Sequence, residues 1–206
     1  STPPKYVRYA EILIKEGEQN YSNGTGSTFK EMGSSRTTAK VENEITALQS
    51  VEIMKEAIRR LGLEIEFKGK GRFYNGIIYL GRPLKIKTPE LNESDKATFT
   101  AVIESDSTVM LKDFTLNDEI LTGEAIQATI GNTVDTPIGQ IHLDKTDYYD
   151  SFRNSELYIE KHNIDILANT LCANLNAGLA KEETSVVSLS IKDVSTIRAT
   201  DILTAI

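Results

Sequence analysis

The chain has 206 residues, of which 39% are hydrophobic and 26% charged, the balance of an ordinary globular domain. No apolar run approaches the roughly 18 residues of a membrane-spanning helix, and a single cysteine excludes an internal disulfide. The net charge of −7 is uneven, because residues 88–150 hold 13 Asp and Glu against three Lys. This acidic middle argues against nucleic acid as a partner, since phosphate binding needs clustered cations.

The first segments predict a strand followed by a loop. Residues 5–15 are rich in aromatic and branched side chains, and Ala10, Ile12 and Ile14 lie on one face of an extended chain. Residues 17–36 lose this periodicity and are dominated by Gly, Ser and Asn, which is typical of a flexible loop.

Residues 37–61 are predicted to be helical, as two helices with a break or as one bent helix. Two apolar stripes recur at spacings of three and four: Val41, Ile45 and Leu48, then Val51, Met54, Ile58 and Leu61. Ser50 lies between the stripes as a candidate N-cap for the second helix. Gly62 is placed to end that helix in a left-handed conformation.

The middle of the chain predicts short strands joined by turns. Residues 63–67 alternate as a strand, residues 68–72 form a basic hairpin end, and residues 73–87 are strand material interrupted by Gly and Pro. Residues 97–159 then contain five candidate strands, which are 97–104, 108–116, 124–131, 136–144 and 155–161. Their spacing indicates a small antiparallel sandwich or barrel.

The last third returns to helix, strand and helix. Asn163 is a candidate N-cap for a helix over residues 164–175, which we expect to end at Gly178. Residues 184–192 alternate, with Val187, Leu189 and Ile191 on one face. Ser195 then precedes a stripe of Ala199, Ile202, Leu203 and Ile206, so a further helix begins there. The order predicts an α+β fold with an insertion.

No catalytic, cofactor-binding or metal-binding motif emerges from the residues. His142 and His162 are 20 positions apart with no cysteine near either, whereas a metal site needs several donors that converge. Cys172 lies beside Leu171 and Leu175 in a helical pattern, so we interpret it as a small buried apolar residue. We therefore expect no catalytic residue, no cofactor and no metal.

Three acidic or aromatic pairs could contact a sugar. Asp118–Glu119 and Asp147–Asp150 could supply a glycosidase with an acid and a base, although such carboxylates are more often solvated charge. Tyr148–Tyr149 could stack on a sugar ring, which keeps open a carbohydrate-binding or adhesion module as an alternative function.

The first part of the chain resembles one protein family. "YVRYAEILIK", residues 6–15, precedes "VENEITALQSVEIMKEAIRRLGL", residues 41–63. This is similar to the opening of the Wzz family of chain-length determinants, also called polysaccharide co-polymerases. The matching positions there are Asn43, Glu44, Ile45, Leu48, Ser50, Val51, Leu61 and Leu63.

The end and the middle of the chain extend this resemblance. Residues 166–206 match the family's closing pattern at Leu179, Lys181, Val187, Leu189, Ala199, Ile202 and Leu203. Thr196 stands where the family usually has a proline, and threonine is tolerated at the first position of a helix. "IIYLGRPLKI", residues 77–86, and "TPIGQIHL", residues 136–143, resemble pieces of the β-rich insertion in the branch with tyrosine kinases of capsule and exopolysaccharide synthesis.

The resemblance implies a juxtamembrane base domain in the bacterial periplasm. Residues 1–87 and 160–206 would form this discontinuous α/β base, and residues 88–159 the antiparallel β-rich insertion. In the base, a mixed sheet of residues 5–15, 63–67 and 184–192 would be packed by the helices. The helix after Ser195 would continue into the long helical hairpin of the family.

The implied role is non-enzymatic for these residues. The protein would be an inner-membrane polysaccharide co-polymerase that forms homo-oligomers and controls the length or export of capsular polysaccharide, O-antigen or exopolysaccharide. A polysaccharide polymerase and the export machinery would be its partners, with the nascent polysaccharide a further candidate. In the kinase branch a cytoplasmic tyrosine kinase domain follows, and no such kinase motif is visible in this sequence.

Overall fold

The computed structural model describes residues 4–14, 41–70, 75–180 and 186–206. Within these ranges no helix is both long and apolar enough to cross a bilayer. The loop predicted over residues 17–36 lies outside the described residues, as do residues 37–40 of the predicted helix.

The helices and strands, in chain order, are β1 (Tyr6–Leu13), α1 (41–48), α2 (Val51–Leu61), β2 (Ile65–Lys70), β3 (Asn75–Ile78), β4 (Leu84–Lys87), β5 (Ala97–Ile103), β6 (Thr108–Leu116), β7 (Glu119–Ile120), β8 (Ile126–Thr129), β9 (Thr133–Thr136), β10 (Gly139–Lys145), β11 (Glu156–Lys161), α3 (Ile164–Asn174), β12 (Leu175–Leu179), β13 (Val186–Asp193) and α4 (Thr196–Ala205). A 3-10 turn, Tyr149–Phe152, precedes β11. The fold is α+β, as predicted, and the chain divides into two compact units.

The first unit comprises residues up to Leu61 and from Ala168 onward. Its antiparallel sheet has the order β1-β13-β12. The predicted face of β13 is confirmed, because Val187, Leu189 and Ile191 are fully buried. Helix α4 packs against β1 and β13, and α2 packs against α4. Burial of side chains of this size contributes about 1.5–3 kcal/mol each, so this layer is the core of the unit.

The predicted helix boundaries are largely confirmed. Helices α1 and α2 are separate, and the Ser50 hydroxyl accepts a hydrogen bond from the Ile53 amide at 3.3 Å. Gly62 follows α2 with φ of +60°, a conformation that costs glycine little. Asn163 Oδ1 accepts from the Ile166 amide at 3.1 Å, and Ser195 Oγ accepts from the Arg198 amide at 3.2 Å. Side chains therefore satisfy amides at the start of three helices.

The second unit, Gly62–Leu167, contains two antiparallel sheets around one core. The larger sheet has the order β3-β2-β11-β5-β6-β7, with β8 also paired to β6, and the smaller sheet has the order β4-β10-β9. Phe67, Phe99 and Ile159 enter the core from the larger sheet, and Ile141 and Leu143 enter it from the smaller one. Strands β5, β6 and β11 lie where the sequence predicts them.

The predicted mixed sheet is wrong in direction and membership. Every strand pair among the described residues is antiparallel, and residues 63–67 do not join β1 and β13. They lead into β2, which pairs with β3 and β11. Ile65 and Phe67 are buried in the core of the second unit, which explains this placement. The second unit consequently begins at Gly62 and ends at Leu167, whereas the predicted insertion spans residues 88–159.

The end of α3 also differs from the prediction. The helix stops at Asn174, and Gly178 lies in strand β12 rather than at a helix end. Leu175 pairs with Ile191 and Ala177 with Leu189, so the chain leaves the helix to cover the free edge of β13. The helical spacing of Leu171 and Leu175 hides this strand in the sequence.

Replacing Ile58 with Asp should unfold the first unit. The Ile58 side chain is fully buried on α2, and an unpaired carboxylate there should cost at least about 4 kcal/mol of unfolding free energy. Urea unfolding followed by circular dichroism measures the loss. Glu56→Gln, on the exposed side of the same helix, is the control and should change stability by less than about 0.5 kcal/mol. Equal stability of the two variants would refute the assigned core face.

Candidate functional site

The start of α4 is held by a buried ion pair. The Asp193 carboxylate, only 3% exposed, accepts from the Ser195 amide at 2.7 Å and from Arg198 Nε at 3.1 Å. Arg198 Nη2 lies 3.0 Å from the second carboxylate oxygen. Because the carboxylate binds both the turn and the first helical turn, it fixes the direction in which α4 leaves β13.

The entry to β1 and the start of α4 lie at the same end of the first sheet. Tyr6 pairs with Asp193, and Leu13 pairs with Val186 at the other end. Only two residues separate β13 from α4, and α4 packs on both β1 and β13. The helix therefore folds back over the sheet, away from the end at which the chain enters β1.

The face of β1 that α4 does not cover exposes apolar side chains. The apolar Val7, Tyr9 and Leu13 point to this outer face, which Glu11 shares, and Tyr9 is 74% exposed. Their cross-strand partners on β13 are Lys192, Ser190 and Val186. Exposed apolar residues that share one face of a sheet are a common feature of protein contact surfaces. We call this set of three residues the outer β1 face.

The tyrosine pair does not form a stacking platform. Tyr149 is buried, and its hydroxyl donates to the Ser105 carbonyl at 2.9 Å. Burial raises the pKa of this phenol. Tyr148 is 54% exposed, and a Cβ added to Gly81 would lie 3.3 Å from its ring, so one ring face packs on the Gly81 backbone. Only Tyr148 could stack on a sugar.

One carboxylate of each acidic pair chosen from the sequence lies in an exposed turn and pairs with a cation. Asp118 has φ of +69° at the tip of the β6–β7 hairpin, and its carboxylate lies 2.7 Å from Lys96 Nζ. Asp150 lies 2.9 Å from an Arg153 nitrogen. Such ion pairs are solvated surface charge, which the sequence offered as the alternative to a glycosidase site.

Cys172 lies half-buried on α3. Its Sγ is 3.8 Å from the Ser50 carbonyl oxygen. Burial raises the pKa of the thiol, which disfavours the reactive thiolate. The structure is therefore consistent with the interpretation of Cys172 as a packing side chain.

The two histidines have different surroundings. His142 on β10 lies 3.3 Å from Asp144 and 3.2 Å from the Thr133 hydroxyl. His162 follows β11, with Nε2 3.9 Å from a Glu66 oxygen and Nδ1 3.6 Å from a Glu160 oxygen. One ligand atom from each of these three residues lies within 4.8 Å of the others. We call Glu66, Glu160 and His162 the His162 cluster.

Lys68 neutralises part of the His162 cluster. Its Nζ lies 2.9 Å from Glu66 Oε1 and 3.0 Å from Glu160 Oε2. Burial opposes the charge on Lys68, but the hydrogen bonds to both carboxylates outweigh it and raise the pKa of the ammonium. Sequence reasoning missed this cluster because pairing of β2 with β11 places Glu66 opposite Glu160, although they are far apart in the chain.

No family model and no curated protein sequence matches this chain. Its membership of the chain-length determinant family therefore stays a prediction that rests on the order and spacing of the residues quoted above. The geometry of the described residues has to support the function independently.

Replacing Asp193 with Ala should destabilise the first unit by about 3 kcal/mol, because it leaves Arg198 without its buried partner. Ser195→Ala should cost about 1 kcal/mol through loss of the helix cap. Urea unfolding measures both. Thr200→Ala is the control, since that exposed hydroxyl bonds only a carbonyl of its own helix, Thr196 O, at 3.0 Å. If Asp193→Ala costs no more than this control, the ion pair does not anchor α4.

Proposed function

We propose that this chain is the periplasmic domain of an inner-membrane polysaccharide co-polymerase. In this proposal the domain helps identical subunits to assemble and so controls the length or export of capsular polysaccharide, O-antigen or exopolysaccharide. A separate polymerase and the export machinery are its partners, and the nascent polysaccharide is a further candidate. These residues contribute shape and contacts rather than catalysis.

The direction of α4 is the observation that carries the proposal. In the family that the sequence resembles, the first strand follows a membrane helix, and a later helix rises from the base into a long hairpin. Here α4 starts beside the entry to β1 and folds back over β1 and β13. A helix in this orientation leads away from a membrane placed before β1, as the proposal requires.

The architecture of the first unit gives further support. Strand β1 and two helices precede the β-rich second unit, and α3, a strand pair and α4 follow it. A discontinuous unit interrupted by a β-rich one supports the proposal, and its bounds differ from those of the base that the resemblance implies, residues 1–87 and 160–206. The antiparallel β-rich character of the insertion also agrees with the kinase-associated branch, which would add a cytoplasmic tyrosine kinase domain.

The outer β1 face is our candidate for a contact between subunits. Rings of identical subunits use heterologous interfaces, in which two different surfaces match. An exposed aromatic residue such as Tyr9 within an apolar patch is a typical energetic centre of an interface. A second copy of the protein is therefore the occupant that the proposal assigns to this face.

Chromosomal replacement in the source bacterium tests the proposal. We expect deletion of the gene to change the length distribution of a surface polysaccharide on an electrophoretic gel. Tyr9→Glu should reproduce most of that change, because a carboxylate placed in an apolar contact opposes association. Arg8→Gln is the matched control, since Arg8 is also exposed on β1 but alternates onto the opposite face, and it should leave the distribution unchanged.

Immunoblotting keeps the result interpretable, because every variant must be present at the level of the natural protein. Cross-linking of membranes should show fewer oligomers for Tyr9→Glu than for Arg8→Gln. An unaltered polysaccharide distribution in the deletion strain would overturn the proposed function. An altered distribution on deletion together with a normal Tyr9→Glu strain would overturn only the assigned contact face.

A carbohydrate-binding module is the alternative, and the exposed ring of Tyr148 is the observation in its favour. One face of the ring packs on Gly81, and the other could cover a sugar. Asp147 precedes it in the same acidic turn. A single ring without Tyr149 is a smaller platform than the sequence predicts.

Titration of the chain with oligosaccharides tests this alternative. If Tyr148 binds sugar, saturable binding with a dissociation constant below about 1 mM should weaken at least about fivefold in Tyr148→Ala, since stacking contributes about 1 kcal/mol or more. Tyr9→Ala, which removes an exposed tyrosine in the other unit, is the control. Absence of saturable binding by the natural sequence would exclude the module for the sugars tested.

A further inference from the structure

The His162 cluster gathers more acid than Lys68 can neutralise. Glu66 and Glu160 face each other across β2 and β11, and Lys68 lies between their carboxylates. Glu64 immediately precedes β2, and its carbonyl accepts from the His162 amide at 2.8 Å. Glu66 and Glu160 therefore share one ammonium group, which leaves an excess of negative charge.

The neighbouring carboxylate of Glu64 has an unsatisfied atom. Among the described residues, Glu64 Oε2 is the buried side-chain oxygen that has no hydrogen-bond partner. A buried polar atom of this kind usually has a water or ion as its partner. The nearby cation Lys161 interacts electrostatically with Glu64, but its Nζ donates its hydrogen bonds to the backbone carbonyls of residues 92, 93 and 95. The position opposite His162 thus favours a further cation.

The donor atoms of the cluster suit a transition metal. Two carboxylates and one imidazole are ligands that zinc takes at about 2.0–2.2 Å, and an imidazole favours zinc over calcium or magnesium. The carboxylates are only 11% and 15% exposed, and the imidazole is 21% exposed. Because the donor atoms lie within 4.8 Å of one another, small side-chain rotations would bring them to one centre.

We propose that Glu66, Glu160 and His162 bind one divalent transition-metal ion, with zinc the best match, and that this ion displaces the ammonium group of Lys68. The expectation from the sequence was that neither histidine binds metal, and the proposal replaces it for His162 alone. The site is independent of the proposed role in polysaccharide assembly.

Zinc titration of the purified chain tests the proposal, with a chromophoric chelator as competitor. We expect one zinc ion per chain. Binding should weaken at least about tenfold in His162→Ala and in Glu160→Gln, since each loses a ligand. Lys68→Met should bind zinc more tightly than the natural sequence, because it removes the competing ammonium group. An ion-pair network without a metal function predicts no such gain.

His142→Ala is the matched control, because the chain has only two histidines and His142 belongs to a different sheet. Its zinc affinity should equal that of the natural sequence. Circular dichroism checks that each variant is folded. If His162→Ala does not fold, Glu160→Gln still tests the proposal. Zinc should also raise the melting temperature of the natural sequence but not that of Glu160→Gln.

Two outcomes would overturn the proposal. The first is a natural sequence that does not bind zinc in competition with the chelator. The second is nonspecific attraction to an acidic surface. It would be seen as zinc binding that His162→Ala and Glu160→Gln leave unchanged, or as an equal affinity for calcium.

Discussion

The pairing of β1 with β13 is the contact on which the first unit depends. These strands lie near opposite ends of the chain, so their association must offset the entropy that is lost when a long loop closes. The complete burial of Val187, Leu189 and Ile191 on β13 contributes favourable free energy that offsets this loss of entropy. The same pairing sets Tyr6 beside Asp193, and the ion pair to Arg198 then fixes the path of α4. The functional proposal follows from this arrangement, because it depends on where α4 starts and which way it runs.

The pairing of β2 with β11 has the corresponding role in the second unit. Ile65 pairs with Lys161, so the chain enters and leaves this unit on adjacent strands. Such a unit can be inserted between two segments of another domain without separating them widely. Its two faces differ because side chains alternate along a strand. Phe67 and Ile159 face the core, whereas Glu66 and Glu160 face the opposite side and form the charged row beside His162.

Local signals in the sequence predicted local structure well, but not the partners of the strands. The caps at Ser50, Asn163 and Ser195 are physical consequences of a hydroxyl or amide near free helix amides, and they could be read directly. Strand β12 was missed because the spacing of Leu171 and Leu175 suits a helix equally well. Which sheet contains residues 63–67, and which residues form the His162 cluster, depends on the pairing of the strands. Burial across the whole unit determines that pairing.

The position of the His162 cluster favours a structural role for a bound metal over a catalytic one. The cluster lies on the strand pair where the second unit begins and ends, and Lys68 already bridges the two carboxylates. A divalent ion would replace one positive charge with two and would bind the imidazole as well. It would therefore fasten β2 to β11 more firmly than the ammonium group does.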